Sequence, residues 1–296
     1  MAEPRLKKLC GDLASARRSA VVAIVLPTEP LVHTHVLQLH AMLCKRNCER
    51  LSVVLHSGGG DINAAYQIVD VLTNHCQHMT TVVPLWAKSA ATLFVLGSND
   101  VVLSEIAQLG PLDTQVPERE KGGIKYASAL NPFKTLEELQ RFSLETLDVT
   151  VKLLLARAEL SVDEAIGRAM DMVGRIAAPL FSQLTAEKVG EYSRALAIGE
   201  AYGERLMRRI PRWENQDERE KVLDKLIRGY PSHDYIIDYK ELKELGFTVS
   251  LPTKDEEPIV QAMLEYLSKR PKQEIVVVED GGSQATSTRT PGEGRE

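Results

Sequence analysis

Two short turns carry the residues whose types and spacing could do chemistry. The first is HSGGGD at residues 56–61, which follows an apolar run and precedes an amphipathic segment. Three consecutive glycines leave backbone N–H groups uncovered, and such a turn at a helix start suits an anion or a developing oxyanion. The second is AKSAA at residues 87–91, where small neighbours leave the Ser89 hydroxyl uncrowded. A nucleophilic serine beside an oxyanion-binding turn predicts acyl-transfer chemistry.

Both turns also have simpler interpretations. A glycine cluster is typical of any permissive turn between a strand and a helix, and a serine at a helix start is commonly its N-cap. No Gly-Lys-Ser/Thr follows the glycines, and Asn63 stands where G-x-G-x-x-G needs its third glycine. Nucleotide binding through these two motifs is therefore disfavoured.

The apolar pattern places both turns in an α/β fold. Continuous Val/Ile/Leu runs predict strands that are buried on both faces of a mostly parallel sheet, at 21–26, 51–55, 80–83 and 101–103. Helical segments are predicted between them, at 31–48, 62–74 and 89–96. Because the carboxyl ends of parallel strands meet at one sheet edge, we expect Gly60 and Ser89 to lie close together.

The rest of the chain reads as mostly helical. Residues 115–133 are polar and contain glycine and proline breakers, so we expect them to be irregular. Periodic stretches then predict helices at about 135–159, 161–172, 186–209 and 214–228, with a short strand at 235–237. We expect one α/β domain over residues 1–278, with a sheet core at about 20–115 and a helical layer at about 134–270. Residues 279–296 contain no aliphatic residue larger than alanine, which predicts a disordered tail.

The amino-acid composition and charge disfavour several classes of function and location. The formal charge of -5 argues against a broad nucleic-acid surface. The apolar run at 20–26 is too short to span a bilayer and lacks a signal-peptide cleavage site, so we expect a soluble, unprocessed chain. Four cysteines in a chain of this length predict reduced thiols and a cytoplasmic location.

His40, Cys44 and Cys48 are candidates for a metal site, because they are spaced i, i+4 and i+8. These are zinc-capable ligand types, but helical drift spreads them over two turns and no C-x-x-C pair is present. We therefore expect a buried helix face with cysteines acting as small hydrophobes, and no metal.

The order of these motifs resembles the serine dehydrogenase proteinase family of the Clp protease/crotonase superfamily, with likeness to signal peptide peptidase A. Beyond the Ser-Gly-Gly and small-x-Ser-Ala turns, it is similar in three further segments, at 104–115 (SEIAQLGPLDTQ), 190–203 (GEYSRALAIGEAYG) and 229–238 (GYPSHDYIID). The resemblance covers about residues 21–247. It implies a Clp/crotonase-like ββα superhelix with a mostly parallel sheet and a helical C-terminal part.

The resemblance also implies roles for individual residues. Ser89 takes the nucleophile position, and the backbone N–H groups of Gly59 or Gly60 and of Ala90 take the oxyanion-hole positions. The family implies a serine peptidase that acts on protein or peptide substrates, needs no cofactor and forms a homo-oligomer.

The general base is the open question in this interpretation. Clp-type enzymes have a histidine after the next strand, but residues 105–120 contain none. Relatives of signal peptide peptidase use a lysine before a Pro-Phe and a long helix, and Lys125 is the nearest candidate. His233 and Lys134 compete with it.

Two other functions share the same motifs. A crotonase-like acyl-CoA enzyme would use a turn much like HSGGGD, although its usual Gly-rich second turn is replaced here by KSAA at 88–91. A catalytically inactive oligomeric scaffold would keep Ser89 only as a helix cap.

Overall fold

The computed structural model describes residues 4–44, 46–112, 115–120, 123–128, 130–183, 185–269, 272–278 and 285–288. The chain divides into two compact units, Met1–Gln115 with Ala197–Glu296, and Val116–Leu196. The single domain expected over residues 1–278 stays a prediction.

The described residues of the first unit form a sheet of nine strands. In chain order they are β1 (Ala20–Leu26), β2 (Cys48–Ser57), β3 (Cys76–Val83), β4 (Trp86–Ala87), β5 (Asp100–Leu103), β6 (Gln108–Leu109), β9 (Val249–Ser250), β10 (Glu274–Val278) and β11 (Ala285–Thr288). The main path runs β11-β10-β1-β2-β3-β5-β9, and β4 pairs with β2 and β6 beside it. The strands β1 to β6 and β9 pair in parallel, whereas β10 and β11 are antiparallel to their neighbours.

The helices of the first unit cover both faces of this sheet. They are α1 (Pro4–Arg17), α2 (His33–Leu43), α3 (Ile62–Asn74), α4 (Thr92–Leu96), α8 (Gln216–Arg228), α9 (Tyr239–Glu244) and α10 (Glu257–Ser268), with short 3-10 turns at Ser89–Ala91 and Pro211–Trp213. One core cluster joins α1 and α10 to alternate residues of the sheet, including Val25, Val54 and Val276. The helices α2 and α3 pack together, and α3 packs on β3. The predicted α/β fold with a mostly parallel sheet is therefore confirmed.

Several boundaries differ from the prediction. The helix expected at 31–48 ends at Leu43, and Cys48 already begins β2. The sequence pattern did not predict α1 or β10 as separate elements. Within the expected disordered tail, Ala285–Thr288 forms β11 antiparallel to β10, and the other residues of 279–296 lie outside the described residues.

The second unit contains β7 (Gln115–Glu120) from its second residue onward, together with β8 (Gly123–Ser128), α5 (Leu130–Arg157) and α6 (Val162–Phe181). Helix α7 (Ala186–Met207) begins in this unit and ends in the first. The irregular segment expected at 115–133 was wrong, because β7 and β8 pair as a two-stranded sheet.

Helix α6 starts with a capping box, in which Ser161 and Glu164 satisfy each other's backbone N–H groups. It runs beyond the expected end at residue 172, to Phe181. In the described part of the chain, every helix is too short or too polar to cross a bilayer.

Candidate active site

The glycine turn follows β2 and is shaped by backbone contacts that only glycine permits. Gly59 and Gly60 have φ values of 104° and 144°, in the region where side chains are strained. Gly60 forms a parallel bridge with Leu31, and a β-carbon added to Gly60 would lie 2.6 Å from the Leu31 carbonyl oxygen. Asp61 then caps α3, because its side chain accepts a hydrogen bond from the Ala64 N–H at 2.8 Å.

Ser89 follows β4 and is buried, with 1% of its surface exposed. Its φ is 55°, a left-handed conformation that costs a residue with a β-carbon roughly 1 kcal/mol or more. The N-cap of the 3-10 turn is Lys88, and the N-cap of α4 is Ala91. The interpretation of Ser89 as an N-cap was therefore wrong.

The structure brings the two predicted turns into direct contact. A β-carbon added at Gly59 would lie 2.8 Å from the Ser89 Cβ and 3.2 Å from the backbone nitrogen of Ala90. The pairing of Ser57 with Ala87 makes this contact possible, because it joins the ends of β2 and β4. The next residue, Lys88, donates its N–H to the Ser57 carbonyl at 3.0 Å.

The backbone N–H groups of the turns are not equivalent. The Gly59 N–H donates to Ser57 Oγ at 3.1 Å, so it is already engaged within the turn. For the N–H groups of Gly60 and Ala90, the described part of the chain supplies no acceptor. Of the predicted oxyanion-hole positions, Gly60 and Ala90 are thus the ones whose donors stay available.

A third segment packs on the serine turn from the side of β6. A β-carbon at Gly110 would lie 3.1 Å from the Lys88 Cβ, and the Gly110 carbonyl accepts from Thr92 Oγ1 at 2.8 Å. These contacts hold the QLGPL segment beside the first turn of the helix that follows Ser89. The site is consequently built from the carboxyl ends of β2, β4 and β6.

The candidate bases are placed unequally. Lys125 belongs to β8 in the second unit, and its side chain lies outside the described residues. Lys134 lies in α5 of the same unit and donates to Glu137 Oε2 at 3.1 Å in an exposed ion pair. His233 belongs to the first unit and is half-buried. Its segment reaches β6, where Ile237 and Leu109 exchange backbone hydrogen bonds of 3.0 Å.

His56 was part of the predicted motif but had no role assigned to it. It is fully buried at the end of β2, and its ring lies 4.3 Å from the ring of Trp86. Among the described residues, neither ring nitrogen has a hydrogen-bond partner. Burial lowers the pKa of His56 to about 4, so the ring is neutral at pH 7.

The residues weighed as a metal site do not share a helix face. Cys44 is the C-cap of α2 and is exposed, whereas Cys48 lies on β2 in register with Cys76. The expected buried helix face was therefore wrong, because the helix ends before both cysteines. In the part of the chain that is described, no three His, Cys, Asp or Glu side chains converge as metal ligands.

Two supporting residues were not predicted from the sequence. The Ser57 hydroxyl shapes the glycine turn by accepting a hydrogen bond from the Gly59 N–H. The backbone of Leu31 forms the parallel bridge with Gly60. A serine two residues before an N–H donor is a local turn signal that could have been recognised. The role of Leu31 has no local signal, because it arises from a contact with a distant segment.

Comparison with known proteins gives relatives of similar sequence. An uncharacterized protein of Methanocaldococcus jannaschii, MJ0137, is 25% identical over 230 residues, which cover 77% of this chain and 62% of the relative. A second uncharacterized protein of that organism, MJ1495, is 20% identical over 200 residues, covering 68% of this chain and 52% of the relative. The chain thus spans less than two thirds of the length of these relatives.

A family model described as ClpP-like SDH-type serine proteinase matches residues 36–144. This range includes the glycine turn, Ser89, Lys125 and Lys134. Over residues 36–144 the chain is therefore similar to the ClpP-like SDH-type serine proteinases, and the family resemblance predicted from the sequence is confirmed over that range.

Proposed function

We propose that the protein is a serine peptidase that cleaves peptide bonds through an acyl-enzyme on Ser89. The observation that carries this proposal is the close approach of Gly59 to Ser89 and Ala90. A serine held at a strained φ beside uncovered backbone donors is typical of a nucleophile elbow rather than of a structural turn.

In the proposed reaction, Ser89 Oγ attacks the carbonyl carbon of the scissile peptide, and its proton passes to a neutral Lys125 Nζ. The N–H groups of Gly60 and Ala90 stabilise the oxyanion, and Lys125 then protonates the leaving amine. Lys125 then takes a proton from water, and the resulting hydroxide attacks the acyl carbon. As the bond to Ser89 Oγ breaks, Lys125 returns the proton to this oxygen, which releases the carboxylic acid product. This role requires the pKa of Lys125 to lie well below its ordinary value.

Lys134 is the weaker candidate for this role. Its side chain is already paired with Glu137 Oε2 at 3.1 Å on the surface of α5. His233 stays an alternative base because its segment is anchored to β6 by the bridge between Leu109 and Ile237.

A fluorophosphonate probe tests the nucleophile. We expect the wild-type chain to be labelled on Ser89, and we expect Ser89→Ala to lose both labelling and casein cleavage. Ser98→Ala is a matched control, because Ser98 is also buried but bonds to Thr81 and to the Phe94 carbonyl. Labelling at another residue, or full cleavage by Ser89→Ala, would contradict the proposal.

We also propose that the protein self-associates through the second unit. Helix α6 buries a stripe of mainly small residues, which includes Ala165, Ala169 and Ala177. Its larger apolar side chains face outward instead, and Met170 is 59% exposed. Further exposed apolar residues of α5 and α6 include Phe142, Leu144, Val149, Leu153, Val162 and Ile166. Apolar surface of this extent is typical of a contact with another protein surface.

Light scattering after size exclusion tests this association. We expect a mass of several chains for the wild type and a smaller mass for the double variant Ile166→Glu/Met170→Glu. Lys152→Glu changes an exposed charge on α5 and serves as the control. A single-chain mass for the wild type would contradict self-association. The cytoplasmic location stays a prediction.

A further inference from the structure

A groove outside the candidate active site lies along one face of α10, and we name it the α10 groove. Its volume is about 630 Å³, which is within the range of ligand-binding pockets. It is bounded by the loop after β5, the segment after β9 and the α10 helix. Its apolar lining consists of Leu85, Ile106, Leu251, Val260 and Leu264.

The mouth of the α10 groove holds two exposed aliphatic side chains, one of which lies on a fixed loop. Ile106 is 60% exposed and Leu251 is 42% exposed. The loop that carries Ile106 is fixed by its own hydrogen bonds: Ser104 Oγ donates to the Pro84 carbonyl at 2.6 Å, and Gln108 N–H donates to the Leu85 carbonyl at 2.8 Å. A preorganised apolar surface of this kind binds a partner with little loss of conformational entropy.

The polar part of the α10 groove is acidic. Three of its lining residues are glutamates with exposed positions, namely Glu105, Glu257 and Glu265. No lysine or arginine is among the described lining residues. Arg5 pairs with Glu265 at 3.3 Å from outside the groove, in a solvent-exposed contact. This charge distribution favours a cationic occupant and disfavours nucleotides, nucleic acids and acidic peptides.

The groove shares a loop with the candidate active site. Residues 104–107 leave β5 at the groove and lead directly into β6. Strand β6 pairs with β4 through Leu109 and Ala87, and Ser89 lies two residues beyond Ala87. Both sites consequently lie where the parallel strands end.

We infer that the α10 groove binds an extended segment of the protein substrate in which bulky aliphatic or aromatic side chains stand beside lysine or arginine. This inference rests on the proposed peptidase function. The aliphatic mouth residues receive the apolar side chains, and Glu105 and Glu257 receive the positive charges. Substrate selection then depends on a surface separate from the bond that is cleaved.

Fluorescence anisotropy with the Ser89→Ala chain tests the groove without cleavage. The probes are three labelled peptides of equal length, built from leucine and lysine, leucine and glutamate, or serine and lysine. We expect the leucine–lysine peptide to bind at least roughly tenfold more tightly than the other two. We expect salt to weaken its binding, because the glutamates are exposed.

Variants of the groove complete the test. Adding Ile106→Ser and Leu251→Ser should weaken leucine–lysine binding at least roughly tenfold. Leu37→Ser, at an exposed leucine of α2, should leave it unchanged. Glu105→Gln/Glu257→Gln should remove most of the salt dependence. Far-UV circular dichroism confirms that each variant is folded.

The outcomes separate the groove from the peptidase. If the groove variants bind the leucine–lysine peptide as tightly as the parent chain does, the proposed role of the α10 groove is overturned. This conclusion does not depend on the fluorophosphonate result. Groove binding without labelling of wild-type Ser89 would overturn the proposed function and leave the groove as a peptide-binding surface.

Discussion

Gly60 lies against the backbone of Leu31 across a parallel bridge, so close that no β-carbon fits between the two residues. The turn that carries the candidate oxyanion donors is therefore anchored to the segment between β1 and α2. The position of these donors depends on a contact with a part of the chain that contributes no chemistry itself.

The three consecutive glycines should respond differently to alanine. Gly59→Ala and Gly60→Ala introduce a β-carbon against backbone atoms, at φ values that alanine rarely adopts. We expect each to slow fluorophosphonate labelling by roughly 100-fold or more, because the oxyanion donors move. Gly58→Ala is the matched control, since no heavy atom lies within 4 Å of its added β-carbon. Loss of labelling in Gly58→Ala, or full labelling in Gly60→Ala, would count against this account of the turn.

Ser89→Gly should separate the chemistry of this position from its stability. A glycine adopts a φ of 55° without the strain of a β-carbon. We expect Ser89→Gly to unfold at a higher denaturant concentration than Ser89→Ala, with a free energy of unfolding that is larger by about 1 kcal/mol. Both variants should lose fluorophosphonate labelling. Equal stability of the two variants would mean that the left-handed conformation at Ser89 is not strained.

The base can be identified by comparing two lysines of the second unit. We expect Lys125→Ala to slow labelling by roughly 100-fold or more, since a general base is lost. Lys134→Ala should retain most of the rate, because Lys134 is engaged with Glu137. The labelling rate of the wild type should rise with pH as the base loses its proton. If Lys125→Ala is labelled at the wild-type rate and His233→Ala is labelled slowly, the general base is His233 and not Lys125.

His56 should make the protein sensitive to mild acid. Its pKa is lowered to about 4 in the folded chain, so the unfolded chain binds the proton more readily between that value and the ordinary one. The neutral His56 ring therefore contributes fully to the stability of the folded chain at neutral pH. This contribution is lost as the pH falls from about 6.5 towards 4. We expect His56→Leu to flatten the fall in urea midpoint over this range. His33→Gln, at an exposed histidine, should leave the fall unchanged.

The ion pair of Arg17 with Glu256 should be far more important for stability than an exposed pair. Their side chains are 11% and 8% exposed, and Arg17 Nε also donates to Ser52 Oγ at 2.9 Å. We expect Arg17→Met to lower the free energy of unfolding by about 3 kcal/mol, because Glu256 is left buried without its cation. Arg5→Met, which breaks an exposed pair, should cost less than about 1 kcal/mol. Similar urea midpoints for the two variants would contradict this difference.

Much of the fold and of the candidate site could be predicted from local patterns. The Val/Ile/Leu runs predicted the central parallel strands, because buried strands need continuous apolar residues. The stripe at 62–74 predicted α3 with its observed bounds. The spacing of one strand–helix step placed the glycine turn and Ser89 at the same sheet edge, and the family match over residues 36–144 agrees with that order of motifs.

The remaining features depend on contacts between distant residues. The sequence does not show that Ser89 has a left-handed φ or that Ser57 engages the Gly59 N–H. Nor does it show that the buried ring nitrogens of His56 lack hydrogen-bond partners among the described residues. Strand β10 joins β1 from the far end of the chain, and no local periodicity specifies that pairing. Residue types and spacing thus determined which groups are able to do chemistry, because these properties are local. Only the tertiary structure decided which of them meet, because that depends on how packed elements bring separate segments together.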